Sequence, residues 1–201
     1  MSIQQKPIIQ KALGDQWESL PEALKNHYRE NAKGENYAEG WLDIDYPWFM
    51  QWPLTFLGLF GVLVNRRGKN LSTKVKKKMD HGKQYWHREI TLPNNTIKAF
   101  KSRLVSNGGN EVIEYTNAFL GMKMVPFVEN NKLRYKSKGY VLKLGKIKIP
   151  ISEWLALGQA SIIEQQVDPD DKHTFKMDFR LKHPLFGEIF SYKGQFRTKT
   201  S

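Results

Sequence analysis

Histidines are the first residues to test for chemistry, and the chain has five: His27, His81, His87, His173 and His183. No two stand at H-x-x-x-H or H-x-x-E-H spacing, which would bring a pair onto one helix face, so no local metal site is expected. There is no cysteine. Disulfides, thiolate zinc sites and cysteine nucleophiles are thereby excluded. No G-x-S-x-G elbow occurs, and Ser102 has no base beside it in sequence. Glu39, Asp43 and Asp45 form a small acidic cluster. Carboxylates held a few ångströms apart can divide acid and base duties, but on a strand such residues usually meet solvent or pair with lysine. No strand is followed by G-x-G-x-x-G, so no dinucleotide cofactor is expected, nor any other cofactor. The sequence names no catalytic residue.

Charge narrows the partners. Thirty-two Lys and Arg against 20 Asp and Glu give a formal charge of +12, which attracts an anionic membrane surface or nucleic acid, or simply keeps the surface solvated. Nucleic acid is the weakest of these, because no RNP-type, helix-turn-helix or glycine-rich clamp motif accompanies the aromatics. A missing apolar leader and missing cysteines point to a cytoplasmic protein, peripheral to the membrane if it touches one. Nothing in the sequence specifies an oligomeric state.

The elements that must position these residues are mostly strands. The 201 residues suit one domain, with residues 1–12 expected as a flexible tail. Leu13, Trp17, Leu20, Leu24 and Tyr28 recur at helical spacing, and Pro21 predicts a break into two short helices near Ser19. A strand follows over about 37–46. From residue 72 onward, hairpins succeed one another, with turns at 80–82, 106–110, 130–131, 168–171 and 183–187 supplied by Asp, Asn, Gly and Pro. Phe175, Met177, Phe179 and Leu181 alternate with charged residues, the pattern of one dry face and one wet face. Residues 152–158 predict a short helix with Ser152 as N-cap and Trp154 and Leu155 facing inward. The expected fold is α+β: a strongly curved antiparallel sheet or incomplete barrel of nine or ten strands with two or three packed helices. A flat sheet of that size would leave a sticky edge.

Residues 46–65 are uncharged throughout and rich in Trp, Phe and Leu. Pro47 and Pro53 divide the segment, and its cleanly apolar part is about half the length of a span. Three placements stay open: a buried core helix (the commonest fate of such a stretch), a helix lying in a membrane interface, or a true span. Trp48, Phe49, Trp52 and the basic Arg66 and Arg67 are the candidate membrane contacts.

Four blocks carry a resemblance to a family. They are Leu20-Pro21 with Leu24 and His27; Trp86 and Arg88; Phe100 and Ser102 with Glu114; and His183-Pro184-Leu185-Phe186-Gly187 leading to Tyr192, Gly194 and Phe196. On these the chain resembles the bacterial family of domains of unknown function numbered 4166. The resemblance implies a domain without an assigned activity, found alone or joined to an NADP-binding reductase-like domain or a membrane segment. On the same blocks lie His27, Trp86, Arg88, Glu114 and Tyr192. If the sheet curves, Trp86, Arg88, Glu114 and Tyr192 can line its inner face, as a satisfied buried Arg–Glu pair or as the polar groups of an apolar pocket. Three functions remain in view. The leading one is a non-enzymatic module for a small apolar or lipid-like ligand. The others are an enzyme using His27, Arg88, Glu114 and Tyr192, and an accessory partner of a reductase-like protein.

Overall fold

The computed structural model describes residues 6–59 and 66–199. Its strands are β1 (Glu35–Asp45), β2 (Gly68–Asp80), β3 (Lys83–Thr91), β4 (Ile97–Ser106), β5 (Val112–Tyr115), β6 (Leu120–Glu129), β7 (Lys132–Leu144), β8 (Ile147–Ile151), β9 (Gln159–Gln166), β10 (Thr174–His183) and β11 (Gly187–Lys199). All pair antiparallel, in the order β6-β5-β4-β3-β2-β1-β11-β10-β9-β7, and a further β6–β7 pairing closes ten of them into a barrel. Strand β8 stays outside, paired only with the far half of β7. Closure removes the free edges that so many hairpins would otherwise expose.

Local sequence explains the hairpins. Asn130 and Asn131 both adopt positive φ (51° and 57°) at the β6–β7 turn, the geometry a two-residue turn needs to match strand twist. In β2 the buried positions are Leu71, Thr73, Val75 and Lys77, while Lys74, Lys76 and Lys78 point outward. Period two thus sorts a lysine run between two faces. Where β1 and β11 cross most closely, glycine is required: a Cβ on Gly40 would lie 1.9 Å from the Gln195 carbonyl oxygen.

Helices α1 (Ile8–Leu13) and α2 (Glu22–Tyr28), with a 3₁₀ segment Gly14–Ser19 between them, cap one end of the barrel. Their apolar stripe of Ile8, Ile9, Leu13, Trp17, Leu24 and Tyr28 belongs to the main core. Side-chain bonds fasten the cap: Gln16 Oε1 accepts from Val128 N (2.9 Å), Gln166 Oε1 from Ala23 N (3.2 Å), and Asn26 Nδ2 donates to the Lys172 carbonyl (2.9 Å). The break at Pro21 is present. The flexible-tail expectation is corrected for residues 8–12, because buried Ile8 and Ile9 dock α1 on the barrel.

One open placement narrows and one further expectation is overturned. The segment after β1 is no buried core helix over its described part, which comprises a 3₁₀ turn, Trp48–Met50, and α3 (Gln51–Leu59). Met50 and Leu54 are buried, but Trp48 and Trp52 are 81% and 83% exposed. No helix among the described residues is long and apolar enough to cross a membrane, and residues 60–65 lie outside the described residues. The expected helix at 152–158 reduces to a 3₁₀ turn, Glu153–Leu155, without a Ser152 side-chain cap. Trp154 and Leu155 face solvent. Apolar type alone could not tell these residues which way to point, since no element among the described residues covers them.

Candidate functional site

The barrel interior is incompletely filled. A cavity of about 90 Å³ runs from His27 at the capped end to Leu157 and Leu181 toward the opposite rim. That is room for several water molecules at about 10–15 Å³ each, although an apolar cavity of this kind tends to stay dry. His27, Trp86, Arg88, Glu114 and Tyr192 all line it. The rest of the wall is mainly aliphatic and aromatic, with Met122 and Met177 as its adaptable side chains.

Strand register explains how the polar wall is assembled. Trp86 pairs with Ser102, Arg88 with Phe100, and Leu104 with Glu114. Arg88, Ser102 and Glu114 therefore lie on a diagonal across β3, β4 and β5, within reach of long side chains. Arg88 Nη1 donates to Ser102 Oγ (2.9 Å) and Nη2 to Glu114 Oε1 (3.3 Å), while Ser102 Oγ donates to the same carboxylate oxygen (2.6 Å). The guanidinium also sits over the rings of Trp86 (4.6 Å) and Phe100 (5.3 Å). Ser102 is buried behind the lining, so its hydroxyl bridges the ion pair instead of facing the cavity.

Tyr192 differs from these. Its ring stacks on Phe179 at 4.6 Å, and its hydroxyl has no hydrogen-bond partner among the described residues. Burial pushes its phenol well above the ordinary range, with the Arg88 charge opposing that shift. In the same wall Thr116 Oγ1 is buried without a partner. The cavity thus offers a lone phenol beside a neutralised guanidinium.

His27 faces a second polar cluster at the capped end, which the sequence reading missed. Lys77 is wholly buried (0% exposed). Its Nζ lies 3.0 Å from both ring nitrogens of His27, donates to the His27 carbonyl, and sits over the rings of Trp86 (4.4 Å) and Tyr28 (4.8 Å). Tyr28 Oη donates to Glu164 Oε2 (2.8 Å) and shares a 2.6 Å bond with Tyr135 Oη. Gln84 joins Glu30 Oε1 (2.5 Å) to the Trp86 indole N–H (3.0 Å). Burial lowers Lys77 and His27 well below their ordinary values and raises Glu164 to about 7. A signal for Lys77 and Glu164 exists in the sequence: each is in phase with buried apolar neighbours on its strand, Val75 for Lys77 and Ile162 for Glu164. Among the described residues His27 makes no hydrogen bond to Arg88, Glu114 or Tyr192, so the structure brings the five candidates around one cavity but not into one hydrogen-bonded unit.

The remaining sequence candidates disperse. Glu39 pairs with Lys199 (2.6 Å), Asp43 accepts from Asn70 N (2.6 Å) and Asp45 meets Arg67 (3.7 Å), so each carboxylate has its own partner outside the cavity. No group of three or more potential ligands could hold a metal among the described residues. Trp48, Phe49, Trp52, Arg66 and Arg67 share the β1–β2 connection and are all exposed. Arg67 also donates to the Tyr46 carbonyl.

Comparison with known families supplies one assignment. The family described as "Domain of unknown function (DUF4166)" matches residues 20–196. The chain belongs to this family. The matched range takes in every residue of the cavity wall named above. Comparison with curated proteins gives no match. Among solved structures, the chain titled "GphF Dehydratase 1" aligns at 9% identity over 94% of this chain and 85% of its own, with a TM-score of 0.18. That overlap is too slight to carry an argument about fold or chemistry.

Proposed function

We propose that the protein is a binding module that holds a small apolar molecule, bearing one neutral polar group, inside the barrel. The observation that carries this reading is the apolar cavity with the Tyr192 hydroxyl unpaired on its wall. Pockets for small molecules combine such a lining with a few placed polar groups. The half-buried Tyr192 hydroxyl has no partner among the described residues to give up, so it is free to hydrogen-bond a ligand oxygen. The polar group is neutral because Arg88 is already matched by Glu114 at 3.3 Å. A carboxylate or phosphate head would bring an uncompensated second negative charge into a poorly solvated site. A hydroxyl or carbonyl on an aliphatic or isoprenoid-like body meets these requirements.

The test is displacement of an environment-sensitive fluorophore, 1-aminoanthracene, from the purified protein by dodecanol and by dodecanoate, with native mass spectrometry to detect any co-purified molecule. Dodecanol should compete and dodecanoate should compete poorly. Val75→Phe, which adds bulk on the cavity wall, should abolish fluorophore binding while circular dichroism stays that of the parent. Equal competition by the two probes refutes the neutral-head assignment. No binding of fluorophore or either probe to folded protein refutes the cavity reading.

A further inference from the structure

The barrel end opposite the helical cap is ringed by apolar side chains that nothing among the described residues covers. Three separate segments meet there: residues 46–59 and 66–67 between β1 and β2, 152–158 between β8 and β9, and 184–186 in the β10–β11 turn. Ring contacts tie them together. Trp48 lies 6.1 Å from Phe49, Phe49 6.1 Å from Phe186, and Phe186 stacks on His183 at 4.9 Å. His183 then links the turn to the third segment: its Nε2–H donates to the Trp154 carbonyl (2.9 Å), and its Nδ1 accepts from Leu185 N (3.2 Å). Among the described residues, half of the exposed large apolar side chains fall in these three segments. Exposed side chains scattered singly need no explanation, but a joined patch marks an interaction surface.

We infer that this rim docks on an anionic lipid bilayer. Aromatic type and charge both select that occupant. Trp48, Trp52 and Trp154 project from the rim, and indole is the side chain most at home at a membrane–water boundary, where its ring is apolar and its N–H stays wet. Residues 46–67 and 184–186 contain no Asp or Glu, and Glu153 is the one acid in the third segment. Its carboxylate is engaged by Gly139 N (3.3 Å). Exposed Arg66, Lys69 and Lys182 flank the patch, beside Arg67 paired with Asp45 at 3.7 Å, placing net positive charge where phosphodiester headgroups would meet it. A short helix without an acidic residue, lying beside basic positions, suits the interface rather than a crossing of the bilayer. This surface stands on observations independent of the cavity, so the two readings fail or survive separately.

Flotation of the purified chain with vesicles of equal parts phosphatidylglycerol and phosphatidylcholine tests the proposal. The wild type should float, less so as salt rises or when phosphatidylglycerol is omitted. Trp48→Ser with Trp52→Ser should lower vesicle partitioning about tenfold or more, with unchanged circular dichroism because both side chains already face solvent. Arg66→Glu with Lys69→Glu should remove the salt dependence. Tyr85→Ser, on a strand that begins at the capped end, should float like the parent and control for loss of exposed aromatics in general. The proposal is overturned if folded wild type stays with the unbound protein, or if the tryptophan variant floats equally well. Sedimentation showing a tryptophan-dependent dimer that does not float would assign the rim to a second copy of the chain instead.

Discussion

At the capped end of the barrel Trp17 and Tyr28 are 2% and 1% exposed, whereas at the rim Trp48 and Trp52 stand almost wholly in solvent. Residue type does not separate the two ends; coverage does. Helices α1 and α2 return across the first end and bury their apolar stripe, so the polar side chains trapped there must satisfy one another through the Glu164–Tyr28–Tyr135 and Gln84–Glu30 bonds. Among the described residues no element returns across the second end. Aromatics there contribute contact surface without contributing to the core, and the cavity between the two ends is neither filled nor fully paired.

The largest expected effect sharpens this contrast. Leu24→Ala in the cap removes a side chain with no exposed area and should cost about 4 kcal/mol in urea denaturation. Trp52→Ala at the rim should change stability by less than about 0.5 kcal/mol, despite the larger group removed. Equal losses would mean that the rim is covered in solution.

Titration of the cap gives the next effect. Burial raises Glu164 to about 7 in the folded chain, opposed by the Tyr28 hydrogen bond and the Lys77 charge. A carboxyl raised on folding contributes stability that is complete below its unfolded value, near 4.5, and is lost as pH rises through 7. That loss is on the order of 3 kcal/mol. His27, lowered by burial and by Lys77 and Arg88, acts with the opposite sign: its stability is present above its ordinary value of 6.5 and declines as pH falls below it. The quantity to compare is therefore the stability difference between wild type and Glu164→Gln. It should shift against the wild type from pH 4.5 to 7; a flat difference would show that the carboxyl reaches water.

Between the two ends, Arg88→Ala should cost about 2 kcal/mol, because Glu114 loses its cation and keeps only Ser102. Chemical denaturation checks this. The smallest effect is the most informative for the cavity. Tyr192→Phe should leave stability within about 0.5 kcal/mol, since no protein partner is lost, yet weaken dodecanol binding about fivefold. A large destabilisation instead would reveal an internal partner for that hydroxyl.

The fold was widely legible because its signals are local. Alternation of Phe175, Met177, Phe179 and Leu181 marks a half-buried strand, and Asn130-Asn131 can form little but a tight turn. The site was legible in part: Trp86 and Arg88 share a strand face by period two, and Glu114 and Tyr192 reach the same cavity through register. Lys77 was hidden in plain view. Within Lys76-Lys77-Lys78 it reads as surface charge, and only its phase with Leu71, Thr73 and Val75 shows that it turns inward.

The sequence by itself determined that this chain forms successive antiparallel hairpins with one dry face, because side-chain period and turn conformation depend on near neighbours alone. Only the tertiary structure decided that β6 pairs with β7 to close the barrel, that Glu164 and Lys77 share the capped end, and that Trp48 and Trp154 stand on one uncovered rim. Those outcomes depend on contacts between residues remote in the chain, where burial is conferred by whatever element arrives to cover a face, and no residue type carries that information alone.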